Sequence, residues 1–239
     1  MKLLSASLTI SAAILFLSCN NQAATEETKT ADTTATTAAA PAVAKPEFVP
    51  FKVVVIQHKV KNFEKAESGY FKSDSIRKVY GMTNIVLGRD SKDSNTVFVM
   101  DKIEDVDKAK AFFNLPAVVD AMKRSGVSRA PGYTYAEMVR GTDAPITSGM
   151  HLSVSHHVKD YNTWLKAFDA EGASTRSANG LVDQGIARNL YDSNTVSVLF
   201  AVTDIEKAKA RVKSPELKKI MTDAGVDGTP AIRWYNQVK

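Results

Sequence analysis

Cysteine is nearly absent from this chain of 239 residues: there is one, Cys19. Everything after it lacks a thiol, which excludes a disulfide framework, a cysteine nucleophile and a thiolate metal site from the folded part. Histidine is scarce as well, with four residues, and no His/Asp/Glu spacing has the pattern of a metal site. The leading apolar stretch, Leu3 to Leu17, falls short of the roughly 20 residues that a membrane-spanning helix needs. There is no Gly-rich phosphate loop, no nucleophile elbow, and no haem-attachment or dinucleotide motif. No cofactor is therefore expected. The net charge of +5 is carried by lysines scattered among acids, with no basic stripe interleaved with aromatics, so nucleic acid is not an expected partner.

What is present begins with an address. Lys2 and the apolar stretch behind it read as an export signal. It ends in Phe16-Leu17-Ser18-Cys19, and a small residue before cysteine after a bulky apolar run resembles a bacterial lipobox. The resemblance implies cleavage before Cys19 and lipidation of its thiol. Residues 1–18 are thus read as a lipoprotein signal peptide. From Asn20 to about Glu47 the chain is rich in Ala and Thr and has no apolar periodicity. Such a segment cannot bury enough surface to offset the entropy of ordering. Residues 19–47 are read as a flexible tether to a membrane. The expected location is the bacterial cell envelope, at the outer membrane, because Asn20 rather than Asp follows the cysteine.

The rest is a duplication. Asp-Ser-Asn-Thr-Val stands at 93–97 and again at 192–196. At the same offset Arg77 meets Arg176, Gly81 meets Gly180, Arg89 meets Arg188, and Lys108-Ala109-Lys110-Ala111 meets Lys207-Ala208-Lys209-Ala210. Nearer the start the offset is one less, and His58 meets His156. Such a ladder marks two copies of one unit, 48–141 and 146–239. Each copy reads as β-α-β-β-α-β. Lys52–His58 and His151–His157 are first strands. Asn62 and Asp160 are N-caps of the following helix, which runs out near Gly81 or Gly180. Thr83–Arg89 with Thr96–Ile103, and Leu181–Leu190 with Thr195–Val202, form hairpins around Asp-Ser-Asn turns. Asp105 and Asp204 cap a second helix, with a break expected at Ser214-Pro215. The last strand is expected after Pro131 or Pro230.

This order is that of a ferredoxin-like α+β unit, whose sheet has one face uncovered. A second copy can cover it by pseudo-two-fold pairing, so the chain is expected to be a monomer that is its own pseudo-dimer. The stretch His157-Val158-Lys159-Asp160-Tyr161 with Trp164 and Phe168-Asp169 resembles the start of dimeric α/β-barrel domains. The later run from Asp204 through Ser214-Pro215-Glu216-Leu217 to Gly225-Val226 does too. That superfamily includes the antibiotic-biosynthesis monooxygenases and small proteins labelled as cyclases. The resemblance implies two ferredoxin-like repeats pairing sheet to sheet as a fused barrel. It also implies a cavity between each sheet and its own helices, where ligands sit in active members.

Candidate site residues follow from the twice-kept polar positions. His58 and His156 are read as strand residues that line each cavity or bond to nearby backbone. Arg77 and Arg176 lie where the first helix ends, suited to an anionic ligand or to a helix C-terminus. Arg89 and Arg188 lie near the end of the second strand. Trp164, opposite Ala66 of the first copy, falls at core helical spacing. The expected function is a membrane-anchored protein that binds a small apolar or anionic molecule, or a partner protein, without catalysis. The alternative is a cofactor-free monooxygenase or cyclase-like enzyme working in the second copy, around Trp164, His156 and Arg176.

Overall fold

The computed structural model describes residues 47–127, 131–142 and 149–238. Cys19, the signal segment and nearly all of the tether lie outside the described residues. From Pro46 onward the chain is one compact unit. Its first repeat runs β1 (Phe51–Lys59), α1 (Phe63–Lys72), α2 (Asp74–Val79), β2 (Met82–Asp90), β3 (Thr96–Ile103), α3 (Val106–Phe113), α4 (Pro116–Arg124) and β4 (Gly132–Gly141). The second runs β5 (Gly149–Val158), α5 (Tyr161–Glu171), α6 (Ala173–Ala178), β6 (Leu181–Asn189), β7 (Thr195–Val202), α7 (Ile205–Lys213), α8 (Pro215–Asp223) and β8 (Val226–Gln237).

The caps form where the residue types place them. The side chains of Asn62, Asp105, Asp160 and Asp204 accept the backbone N–H three residues on, at 2.8, 2.8, 2.7 and 3.0 Å. Ser214 accepts from Leu217 N–H at 3.1 Å, with Pro215 opening α8. The repeated pentapeptide is a turn: Asp93 and Asp192 each accept from the N–H two residues on, both at 3.1 Å, and from the following threonine hydroxyl.

Two local features depart from the expected pattern. The first helix of each repeat is broken, at Ser73 and at Gly172, which has φ +82. The break turns α2 and α6 so that Arg77 donates to the Tyr70 carbonyl and Arg176 to that of Phe168, capping the end of the preceding helix. The last strand of repeat two starts at Val226 rather than after Pro230. Gly228, at φ +70, begins an irregularity between the pairs His157↔Asp227 and Ser155↔Ala231. Pro230 sits inside it, where its missing N–H costs no ladder bond.

The eight strands close into one barrel in the order β1-β3-β2-β8-β5-β7-β6-β4. Two seams join the repeats: β2 with β8, and β4 with β6. They are related by the pseudo-two-fold, since β4 corresponds to β8 and β2 to β6. Side chains alternate across the strands. One set, including Val53, Phe98, Met100, Met138, Leu199 and Tyr235, fills the barrel. The other set faces the helices, in a separate layer for each repeat. Inside, Phe98 stacks on Tyr235 at 4.6 Å, and a Cβ on Gly88 would lie well inside van der Waals distance of the Tyr235 ring. Gly88→Ala should therefore destabilise the barrel by about 1–3 kcal/mol in chemical denaturation, the usual cost of overpacking.

Candidate functional site

The two helix–sheet layers are not equally filled. In repeat one the helices stand off the sheet around a cavity of about 750 Å³, walled by Ile56, Leu87, Val99, Phe112, Phe113 and Val118. That is the size range of small-molecule sites. The matching space in repeat two is about 90 Å³. Trp164 occupies it, 4% exposed, stacked on Phe168 at 5.4 Å and meeting the His156 edge at 5.5 Å. Repeat one has Ala66 in its place. Phe112 is likewise replaced by Arg211, which pairs with Glu171 at 2.7 Å and Glu216 at 3.0 Å.

The cavity of repeat one has a polar pole. Asp101, on β3, is 0% exposed and lies in register opposite Asn84 of β2. The Tyr70 hydroxyl donates to its Oδ1, and the Asn84 amide donates to the same oxygen at 3.1 Å. Oδ2 has no partner. Burial pushes the Asp101 carboxyl above the usual carboxylate range, against the opposing pull of the Tyr70 and Asn84 hydrogen bonds and the Arg77 charge. Burial, and then the Asp101 charge, push the Tyr70 hydroxyl far above the usual phenol range. Arg77, 1% exposed, lies over the Tyr70 ring at 3.6 Å and donates to Asp74 at 3.0 Å. His58 lines the same cavity. Its Nδ1 has no partner, and burial pulls the imidazole below its ordinary value, so it is neutral at pH 7.

Repeat two keeps the arginine and the histidine and has exchanged the other three residues. Phe200 stands for Asp101, Phe168 for Tyr70 and Asp183 for Asn84. The carboxylate has crossed from the third strand to the second. There it grips Arg176 through two bonds of 2.8 and 2.6 Å. Glu171 adds a further contact to Arg176 at 3.4 Å. His156 is left with no partner on either nitrogen, and burial pulls it down to about 4.

His58 and Arg77 therefore lie at the open cavity. His156, Trp164 and Arg176 border the smaller space of repeat two, which Trp164 largely fills. Arg89 and Arg188 stand apart from both spaces. Arg89 donates to Ser94 O and pairs with Glu64 at 3.1 Å; Arg188 donates to Ser193 O and lies over Tyr161 at 3.8 Å. Both hold the hairpin turn to the first helix of their repeat. Asp101, Tyr70 and Asn84 escaped a search for twice-kept residues because only one repeat has them. Their signal was a carboxylate at an alternate position of Thr96–Ile103 that Val97, Val99 and Ile103 otherwise make apolar. Among the described residues no His, Cys, Asp and Glu cluster could hold a metal ion.

No protein-family model matches the sequence, and no curated protein sequence matches it. Solved structures do match its fold. An anthrone oxidase-like protein is 14% identical over 79% of this chain and 92% of its own, with a TM-score of 0.54. A candidate monooxygenase from Fusobacterium nucleatum is 13% identical over 80% and 93%, with a TM-score of 0.52. A heme-binding protein from Thermus thermophilus is 11% identical over 80% and 92%, with a TM-score of 0.50. At these identities the likeness is one of fold: the chain has the ferredoxin-like architecture of dimeric α/β-barrel proteins, with both halves on one chain.

The buried carboxyl makes a stability prediction. A group whose folded pKa is raised binds its proton more tightly in the folded state. Its contribution is complete below the unfolded value, near 3.8, and is lost as pH rises toward the folded value. Asp101→Asn removes that loss. Its melting temperature relative to the unaltered protein should be at least about 2 °C more favourable at pH 7 than at pH 3.5.

Proposed function

We propose that this is a small-molecule-binding protein of the bacterial cell envelope in which repeat one holds the ligand and repeat two is its scaffold. The observation that carries the reading is the asymmetry of two equivalent layers, one hollow with a polar pole and one plugged by Trp164. Apolar walls supply the binding energy and the pole supplies orientation. The signal segment and Cys19 support a lipid anchor, at the outer membrane, with the barrel acting as a monomer. A second reading keeps the same cavity and adds chemistry: a cofactor-free oxygenation or a cyclase-like reaction, with Asp101 as proton acceptor. It is supported by that buried carboxyl and by the anthrone oxidase-like and monooxygenase names of two fold neighbours.

The reading is tested by copying the plug. Ala66→Trp should weaken binding of the neutral fluorophore N-phenyl-1-naphthylamine at least about tenfold with the fold retained by circular dichroism, a loss of roughly 1.4 kcal/mol or more. Unchanged binding would place the ligand elsewhere. Haem, quinones and fatty alcohols, titrated as competitors, then sort the ligand class. Separately, an alkyne fatty acid fed to producing cells should label the protein, and Cys19→Ala should abolish the label and release the chain from membranes. Labelling that survives the substitution would contradict the anchor.

A further inference from the structure

We infer that the cavity of repeat one selects an apolar molecule that carries a neutral hydroxyl, which donates its proton to Asp101 Oδ2, and that it rejects the same skeleton bearing a carboxylate or an ammonium. The inference rests on the reading of repeat one as the binding site and narrows it to a class of ligand.

The donors and acceptors at the pole are nearly all committed. Tyr70 spends its only proton on Asp101 Oδ1. Asn84 Nδ2 spends its protons on that oxygen and on Val86 O at 2.9 Å. The Nη atoms of Arg77 reach Tyr70 O, Ser73 Oγ at 3.2 Å and Asp74 at 3.0 Å. What remains buried without a partner is one acceptor, Asp101 Oδ2, one donor, Arg77 Nε, and His58 Nδ1. All three residues line the cavity. An unmatched polar atom in an apolar enclosure is costly, so a ligand that completes the set gains what other ligands forfeit.

Charge then chooses among head groups. A carboxylate offers no proton to Oδ2 and brings a second negative charge beside the Asp101 carboxyl. An ammonium offers a proton but lies in the field of Arg77, whose charge already acts on Asp101, and it can accept nothing from a donor. A carboxylate thus meets the Asp101 charge and an ammonium that of Arg77, so either charged head meets a like charge and loses its hydration without full return. A hydroxyl is neutral, gives one proton and accepts another, as the water it displaces would. Repeat two shows the contrast. There Phe200 and Phe168 remove the acceptor and the phenol, and Asp183 consumes the arginine.

The test is a matched series, 1-decanol, decylamine and decanoate, competing with the fluorophore at pH 7 on the non-acylated chain from residue 19 carrying Cys19→Ala. The alcohol should bind at least tenfold more tightly than either charged partner. Asp101→Asn keeps an oxygen for Tyr70 and Asn84 and puts an N–H₂ where Oδ2 stood. The alcohol should then lose about tenfold, and 2-decanone, which only accepts, should gain over the unaltered protein. Equal binding of the three heads, tighter binding of decanoate or decylamine, or an alcohol preference untouched by Asp101→Asn would overturn the inference while leaving the cavity reading in place. Failure of the fluorophore and of all three compounds to bind would overturn the cavity reading itself. If Asp101→Asn does not fold, the head-group series on the unaltered protein decides.

Discussion

Two seams between the repeats govern this molecule. A βαββαβ unit covers only one face of its sheet with helices, and the bare face has to be buried against something. Here β2 joins β8 and β4 joins β6, so the two sheets become one closed surface with no free edge and a filled interior. Closure demands both repeats equally. The side chains that point inward are therefore tied to one another across the pseudo-two-fold, down to a glycine that leaves room for the Tyr235 ring.

The helix layers carry no such joint demand. Each is packed almost wholly by its own repeat, with Leu190 and Val139 lent across, so one can be emptied while the other keeps the chain folded. Repeat two has a tryptophan stacked on its neighbours, and Arg176 and Arg211 sit in a network with Glu171, Asp183 and Glu216. Buried ion pairs of this kind are weak sources of stability, but they fill space, even though Arg211 Nε and both His156 nitrogens stay without a partner. Repeat one is hollow instead. It tolerates a large cavity and a buried carboxyl with one bare oxygen, both of which cost stability. Such costs collect where a protein meets a ligand.

Much of the architecture was legible in the chain. The duplication, the four caps, the Asp-Ser-Asn turns and the break at Ser214-Pro215 each rest on short-range chemistry that sequence displays. The breaks at Ser73 and Gly172 were missed because the helix was carried on to the next glycine, Gly81 or Gly180, although Gly172, at φ +82, is a residue type that permits a break. The start of β8 was misplaced because Pro230 looks like a strand opener until the bulge at Gly228 is seen. The site was half legible. Comparing the repeats for what they share found His58 and Arg77 but passed over Asp101, Tyr70 and Asn84, which they do not share. The contrast of Trp164 with Ala66 was visible, yet a large aromatic draws notice as a binding residue, whereas in the structure it is buried and fills space. The informative member of the pair was the alanine, since space is created by the smaller side chain.

The central claim is that binding belongs to one repeat only. It is tested most directly by recording amide chemical shifts of the ¹⁵N-labelled, non-acylated chain during titration with the neutral fluorophore. The account predicts saturable changes confined to the cavity wall of repeat one, at Ile56, Leu87, Val99 and along α1 to α4, with the matching positions of repeat two silent. Changes centred on the surroundings of Trp164, or shared evenly by the two repeats, would contradict it.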